Sequence, residues 1–234
     1  MHMKSNKIPE ATITRLSVYS RILNTLEKSG IQRVSSNELG NMMDGSAAQV
    51  RKDLAYFGEF GTRGVGYDVN LLHKHIMKIL GIDKPNNIVI AGAGRVGKSL
   101  ALYSGFERRG FSILGIFDHN TSRVGTQIGD LKVKPMEELE SFVPENNINI
   151  GVIAVPALYA QEAADALIKA GVKAIMNFAP VLLNVPNGFP YRFVDLTIMM
   201  EILSYYITVE ENNGSKKSSS KRTRSEKEIV KMKA

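Results

Sequence analysis

Residues 92–97, Gly92-Ala93-Gly94-Arg95-Val96-Gly97, have the G-x-G-x-x-G spacing. They follow a short apolar run, Ile88 to Ala91, and precede a helix-like segment, Lys98 to Glu107. A strand, a glycine turn and a helix in that order suit the binding of a dinucleotide. Gly92 would make the tight turn, Gly94 would let backbone approach a pyrophosphate, and Gly97 would let the helix pack against the strand. The helix N-terminus would offer N–H groups and a positive dipole end to the phosphates. A second apolar run, Ile113 to Phe117, ends in Asp118, about 20 residues past the last glycine, where an acid can bind a ribose 2′-OH.

A second set of residues suits nucleic acid. Ile13, Leu16, Tyr19, Leu23 and Leu26 recur at helical spacing before Gly30, and Ser35 with Glu38 fits a capping box for a second helix. Asp44-Gly45 reads as a turn, and Ser46 opens a third helix, Ala47 to Phe57. This order predicts a helix-turn-helix. At about 100° per residue, Val50, Leu54 and Phe57 face inward, while Ala48, Gln49, Lys52, Ala55 and Tyr56 share the opposite side with Arg51 at its edge. Small residues with an amide, a lysine and a phenol suit a helix in a major groove. The stretch 58–66 then carries four glycines and Arg63 near its centre, which predicts a β-hairpin wing with an arginine placed for a minor groove.

The charge distribution agrees with that division. The net charge of +7 splits into +4 over residues 1–84, −1 over 85–209 and +4 over 210–234. The glycine turn thus lies in a nearly neutral segment flanked by basic ones, which point toward a polyanion. Zero cysteines exclude disulfides, thiolate catalysis and Cys-type zinc sites, and no metal site is expected. With no apolar run near the roughly 20 residues that span a bilayer and no signal-like start, a cytoplasmic protein is expected.

From residue 87 to about 180, apolar runs alternate with helical patterns: Ile148 to Val155, the helix Ala157 to Ala170, then Ala174 to Phe178. The expected fold class is α/β, with a winged helix-turn-helix domain (1–84) before a Rossmann-type sheet (85–194). Gly92, Asp118, Pro156 and Phe178 fall at the carboxyl ends of strands, where such sheets bind ligands. Asp195 to Ile207 reads as a last helix whose apolar side, Leu196, Met199, Met200, Leu203 and Tyr206, nothing later in the chain can cover. It should dock on another domain or subunit, as a separate segment 195–209. Residues 210–234 read as a disordered basic tail.

Three stretches together, AAQVRKDLAYFGEFGTRGVGYDV at 47–69, GAGRVG at 92–97 and NFAPVLLNVPNGFPYRFVDLT at 177–197, resemble the redox-sensing transcriptional repressor Rex family. The likeness runs from residue 8 to about 207. It implies a homodimer of winged-helix and Rossmann NAD(H)-binding domains with a domain-swapped C-terminal helix. It also implies that Gly92, Ala93, Gly94, Arg95, Val96 and Gly97 form the NAD(H) phosphate turn, that Asp118 is the ribose acid, and that Pro156, Phe178, Ala179 and Pro180 line the nicotinamide side. Arg21, Tyr103 and Asp195 match a polar network at the dimer interface that changes with redox state. Lys52 and Arg63 match groove contacts, completing an expected DNA-binding set of Ser46, Gln49, Arg51, Lys52, Tyr56 and Arg63. The resemblance implies NADH and NAD+ as cofactors and a double-stranded, palindromic operator as partner.

The expected function is sensing without turnover. NADH, lacking the positive charge of the oxidised ring, would be favoured by an apolar nicotinamide wall and would release the protein from DNA. The competing reading is an NAD-dependent dehydrogenase with an accessory N-terminal domain. It needs a proton donor or acceptor at the ring. Of the four histidines, His2, His73 and His75 lie outside the nucleotide domain and His119 directly follows the ribose acid.

Overall fold

In the computed structural model, which describes residues 8–62 and 64–210, α1 (Glu10–Lys28) turns Leu16, Tyr19, Leu23 and Leu26 into a core. Ile13, expected on the same stripe, stays 44% exposed, and Thr12 and Ser20 are buried instead. β1 (Arg33–Val34) leads into α2 (Ser36–Asn41), whose capping box is present: Ser35 Oγ accepts from the Glu38 N–H and the Glu38 carboxylate from the Ser35 N–H. α3 (Ala47–Ala55) begins with the Ser46 hydroxyl accepting from the Gln49 N–H at 3.2 Å, and buries Val50 and Leu54 with Phe57 just beyond. Each such side chain contributes about 1.5–3 kcal/mol on full burial.

The wing is smaller than the sequence suggests. Thr62 and Gly66 form a single antiparallel bridge, and β2 (Tyr67–Asp68) pairs with β1 upstream, Val34 opposite Tyr67. Gly66 sits at φ +81° with its α-carbon so close to the Val34 carbonyl that a Cβ would lie 2.7 Å from that oxygen. No other residue fits there. α4 (Val69–Ile79), capped by the Asp68 carboxylate, closes the helical core with Leu72 and Ile76. Leu71, apolar and in phase with the helix, is nonetheless 54% exposed, and His73 is buried instead, against Glu27 at 2.8 Å. Arg63 and residues 211–234, including nearly all of the basic tail, lie outside the described residues.

The remaining elements build a seven-stranded sheet. They are β3 (Asn86–Ala91), α5 (Arg95–Ala101), β4 (Phe111–Asp118), β5 (Gln127–Ile128), β6 (Leu131–Pro135), α6 (Leu139–Glu145), β7 (Ile148–Ile153), α7 (Ala160–Ala170), β8 (Ala174–Asn177) and β9 (Tyr191–Phe193). A last helix, α8, spans 196–210. Strand order is β5-β6-β4-β3-β7-β8-β9, with β4–β6, β7–β8 and β8–β9 parallel and β5–β6 an antiparallel edge hairpin. The chain runs outward from β3 to β6 and then returns to β7 on the other side of β3. That reversal is the topological switch point of a Rossmann sheet. α5 ends at Ala101, well short of the expected Glu107, and a single 3-10 turn, Glu107–Arg109, precedes β4.

By compactness the chain divides into two units: residues up to Ile88 with Tyr103–Leu114, and Val89–Leu102 with the residues from Gly115 on. No helix among the described residues is long and apolar enough to cross a membrane.

Candidate functional site

At the switch point the Gly92 N–H donates to the Phe117 carbonyl at 2.7 Å and the Ala154 N–H to the Ala91 carbonyl at 2.8 Å. These bonds bring together the carboxyl ends of β3, β4 and β7 around a cavity of about 830 Å³. Gly92, Gly94, Arg95, Val96, Asp118, Pro156, Phe178 and Pro180 line it, so the structure gathers eight of the expected cofactor residues. Ala93 and Ala179 are buried, and they and Gly97 shape the walls without lining them.

The three glycines have different reasons to be glycine. Gly92 has φ +111°, and a Cβ there would lie 2.6 Å from the Ala154 carbonyl oxygen. A Cβ at Gly97 would run into the Gly92 carbonyl, so α5 could not lie against the turn. Gly94 is free of both constraints. Its φ of −74° and ψ of −167° are ordinary extended backbone, and a Cβ would meet nothing within 4 Å. The open direction at Gly94 is the room an approaching pyrophosphate needs. As N-cap of α5, Gly94 has no side chain to satisfy the amides of the first turn, which leaves those donors for a ligand.

Asp118 is buried at the end of β4. One carboxylate oxygen accepts from the Ala93 N–H at 2.8 Å and from Arg123 Nη1 at 3.1 Å, and the other from the Asn120 N–H at 2.8 Å. Burial alone would raise its pKa, but the Asn120 and Ala93 amides and then Arg123 outweigh it and hold the carboxyl below its ordinary range. Asp118 therefore stays ionised near neutral pH. Arg123 and Asn120 were not legible as site residues, because an arginine in a loop reads as solvated. His119, which also lines the cavity, faces Glu162 at 3.6 Å.

The opposite wall is fixed by a fully buried amide. Asn177 Nδ2 donates to the carbonyls of Ala179 at 3.1 Å and Val181 at 2.8 Å, and Asn177 Oδ1 accepts from the Ala179 N–H at 2.8 Å. This closed loop holds Phe178 and Pro180 toward the cavity.

On α3, Lys52 is exposed, Arg51 donates to Ser36 at 2.9 Å, and Tyr56 is half-buried against the helical core. Gln49, expected to project freely, has its amide nitrogen 2.9 Å from Asp53. Asp53 is the residue that sequence reasoning missed: it is fully buried and bound by Arg15 at 2.6 and 2.7 Å and by Tyr19 at 2.9 Å. Arg21 and Tyr103 are exposed, and Asp195 accepts from the Thr197 N–H at 2.8 Å as the N-cap of α8. No hydrogen bond among the described residues joins these three within one chain.

Two family models match the sequence, a CoA binding domain over residues 83–181 and a putative DNA-binding protein N-terminus over 7–55. The redox-sensing transcriptional repressor Rex of Desulforamulus reducens is 52% identical over 89% of this chain and 100% of its own length. The repressor of the same name from Carboxydothermus hydrogenoformans is 54% identical over 88% of this chain and 99% of its own. Among solved structures, RSP in complex with β-NAD+ and operator DNA superposes with a TM-score of 0.84 at 41% identity, covering 92% of this chain and 99% of that one. RSP in complex with β-NADH gives 0.77 at 40% identity, covering 88% and 97%.

Proposed function

The chain belongs to the Rex family of redox-sensing transcriptional repressors, and from that premise we propose how its own residues couple a dinucleotide to DNA. NADH and NAD+ occupy the switch-point cavity, with the pyrophosphate against Gly94 and the first turn of α5 and a ribose on Asp118. The nicotinamide lies toward Pro156, Phe178 and Pro180. The cofactor supplies only its redox state, as the presence or absence of charge on that ring. The apolar wall disfavours burying the cation and so favours NADH. Open space at Gly94, where neither backbone conformation nor packing demands glycine, is the observation that carries this reading.

Residues 1–84 form the DNA-reading domain, with Ser46, Gln49, Arg51, Lys52, Tyr56 and Arg63 facing the duplex. Residues 85–194 form the sensor, and 195–209 the helix exchanged in a homodimer. Leu196, Met199, Met200, Leu203 and Tyr206 on α8 are all exposed in the single chain, an apolar face too large to leave in water. In the dimer, Arg21, Tyr103 and Asp195 from two subunits form the network that changes with redox state. Two-fold symmetry then calls for a palindromic operator. A DNA-binding regulator of this kind works in the cytoplasm.

The test is displacement of the protein from a palindromic duplex, followed by fluorescence anisotropy, with NADH and NAD+ added separately. NADH should release the duplex at concentrations where NAD+ does not, and failure to bind any duplex at low salt would end the proposal.

Two further outcomes are expected. Lys52→Ala should weaken duplex binding across sequences and lower the salt slope by about 1 while NADH affinity holds, read from titrations at several salt concentrations. Leu203→Glu places a charge on the exchanged face. Sedimentation should show the dimer shifting to monomer, with DNA affinity falling at least about tenfold as the paired half-site contacts separate.

A further inference from the structure

Asp53 lies on the inner flank of α3, away from the face that meets DNA. It accepts from Thr12 Oγ1 at 3.2 Å, Arg15 Nε at 2.6 Å and Nη2 at 2.7 Å, Tyr19 Oη at 2.9 Å and Gln49 Nε2 at 2.9 Å. A carboxylate so surrounded by donors can only accept, so Gln49 must turn its nitrogen inward and its carbonyl oxygen outward. A flipped amide would set two oxygens against each other. The outward oxygen, Oε1, has no hydrogen-bond partner among the described residues, and no buried side-chain nitrogen or oxygen among them lacks one. Oε1 therefore stands in water. Gln49 is the third residue of α3, in the first turn, where a recognition helix meets base edges.

We propose that Asp53 presets Gln49 as an adenine reader. Oε1 accepts from the exocyclic N6 amino group, and the second hydrogen of Nε2 donates to N7, the bidentate pattern that identifies adenine in the major groove. The first hydrogen remains on Asp53. Because the amide is held before DNA arrives, less side-chain freedom is lost on binding. Lys52, next along the same face, has no such restraint. This assignment rests on the reading of α3 as the recognition helix and adds to it a specificity-determining residue, Gln49, and a positioning residue, Asp53.

The experiment selects duplexes from a randomised pool with the full-length protein, then measures binding to the enriched duplex. Wild type should enrich an adenine at one position in each half-site. Replacing that adenine with 7-deazaadenine, which lacks the N7 acceptor, or with purine, which lacks the N6 amino group, should cost roughly 5-fold or more. Gln49→Ala should accept all four bases at that position within about twofold while keeping wild-type preferences elsewhere. Asp53→Asn should relax the same position in part. Should that variant fail to fold, Gln49→Ala and the modified bases decide alone, with thermal melting and NADH binding as fold controls. Unchanged preference in Gln49→Ala, or a Gln49-dependent position that enriches guanine, cytosine or thymine, overturns the assignment. Enrichment of no sequence by wild type instead removes the DNA-binding reading on which it rests.

Discussion

Gly94→Val is expected to leave a folded, DNA-binding protein that no longer responds to NADH. The backbone at Gly94 is extended and suits a β-branched residue, and beyond the adjoining residues nothing among the described residues lies within 4 Å of the Cβ position. Stability should change by less than about 0.5 kcal/mol. The new methyl groups would occupy the space assigned to the pyrophosphate, so NADH affinity should fall at least about 100-fold, or about 2.8 kcal/mol. Duplex binding should persist at NADH concentrations that release wild type. Gly97→Ala provides the contrast. Its Cβ collides with the Gly92 carbonyl, so it should lower the melting temperature as well as NADH affinity. Equal losses of stability in the two variants would remove the distinction drawn between the glycines.

Arg15→Ala should strongly destabilise the DNA-reading unit, and the loss should depend on pH. The guanidinium grips both oxygens of a carboxylate with no exposed surface. Removing one partner of a buried pair costs about 3–5 kcal/mol. The lower end is expected here, because the Arg15 side chain is 28% exposed and Tyr19, Thr12 and Gln49 still donate. Burial alone would raise the Asp53 pKa, but Arg15, Tyr19 and Gln49 together lower it below the ordinary carboxylate value. A lowered pKa means stabilisation that is complete above the unfolded-state value and is lost as pH falls through the folded-state value. Without Arg15, burial dominates and the neutral carboxyl is favoured. The deficit should then be largest near about pH 7 and shrink toward about pH 4, as thermal melts of both proteins would reveal. A deficit independent of pH would mean that Arg15 acts by packing alone.

These two residues mark how far the sequence can be read. The glycine turn was legible because strand, glycines and acid act locally and in order, and the structure brings Gly92, Gly94 and Asp118 to one cavity at the switch point. The capping box at Ser35 and Glu38 and the inward face of α3 were legible for the same reason. Asp53 was not. A carboxylate beside Arg51 and Lys52 on a helix reads as solvated, and its burial depends on Thr12, Arg15 and Tyr19, 34 to 41 residues earlier. Asn177 hides in the same way, since its role needs a loop to fold back onto it. Ile13 and Leu71 failed in the other direction. Each is apolar and in phase with its helix, but the described chain offers nothing to cover it. β9, three residues long at the sheet edge, is too short to show a period. The early end of α5 was not legible because no local signal reports the turn around Tyr103 and Gly105, where a Cβ on the glycine would strike the tyrosine ring.

A single coupling free energy between dinucleotide and DNA is measurable from either side, because linkage is reciprocal. The direct measurement is a titration of NADH into the protein with and without a saturating operator duplex, beside a duplex titration with and without saturating NADH. Each ligand should weaken the other by the same factor, within the usual range of about 5–150-fold, and NAD+ should give a much smaller factor. An NADH affinity unchanged by saturating duplex would contradict this coupling.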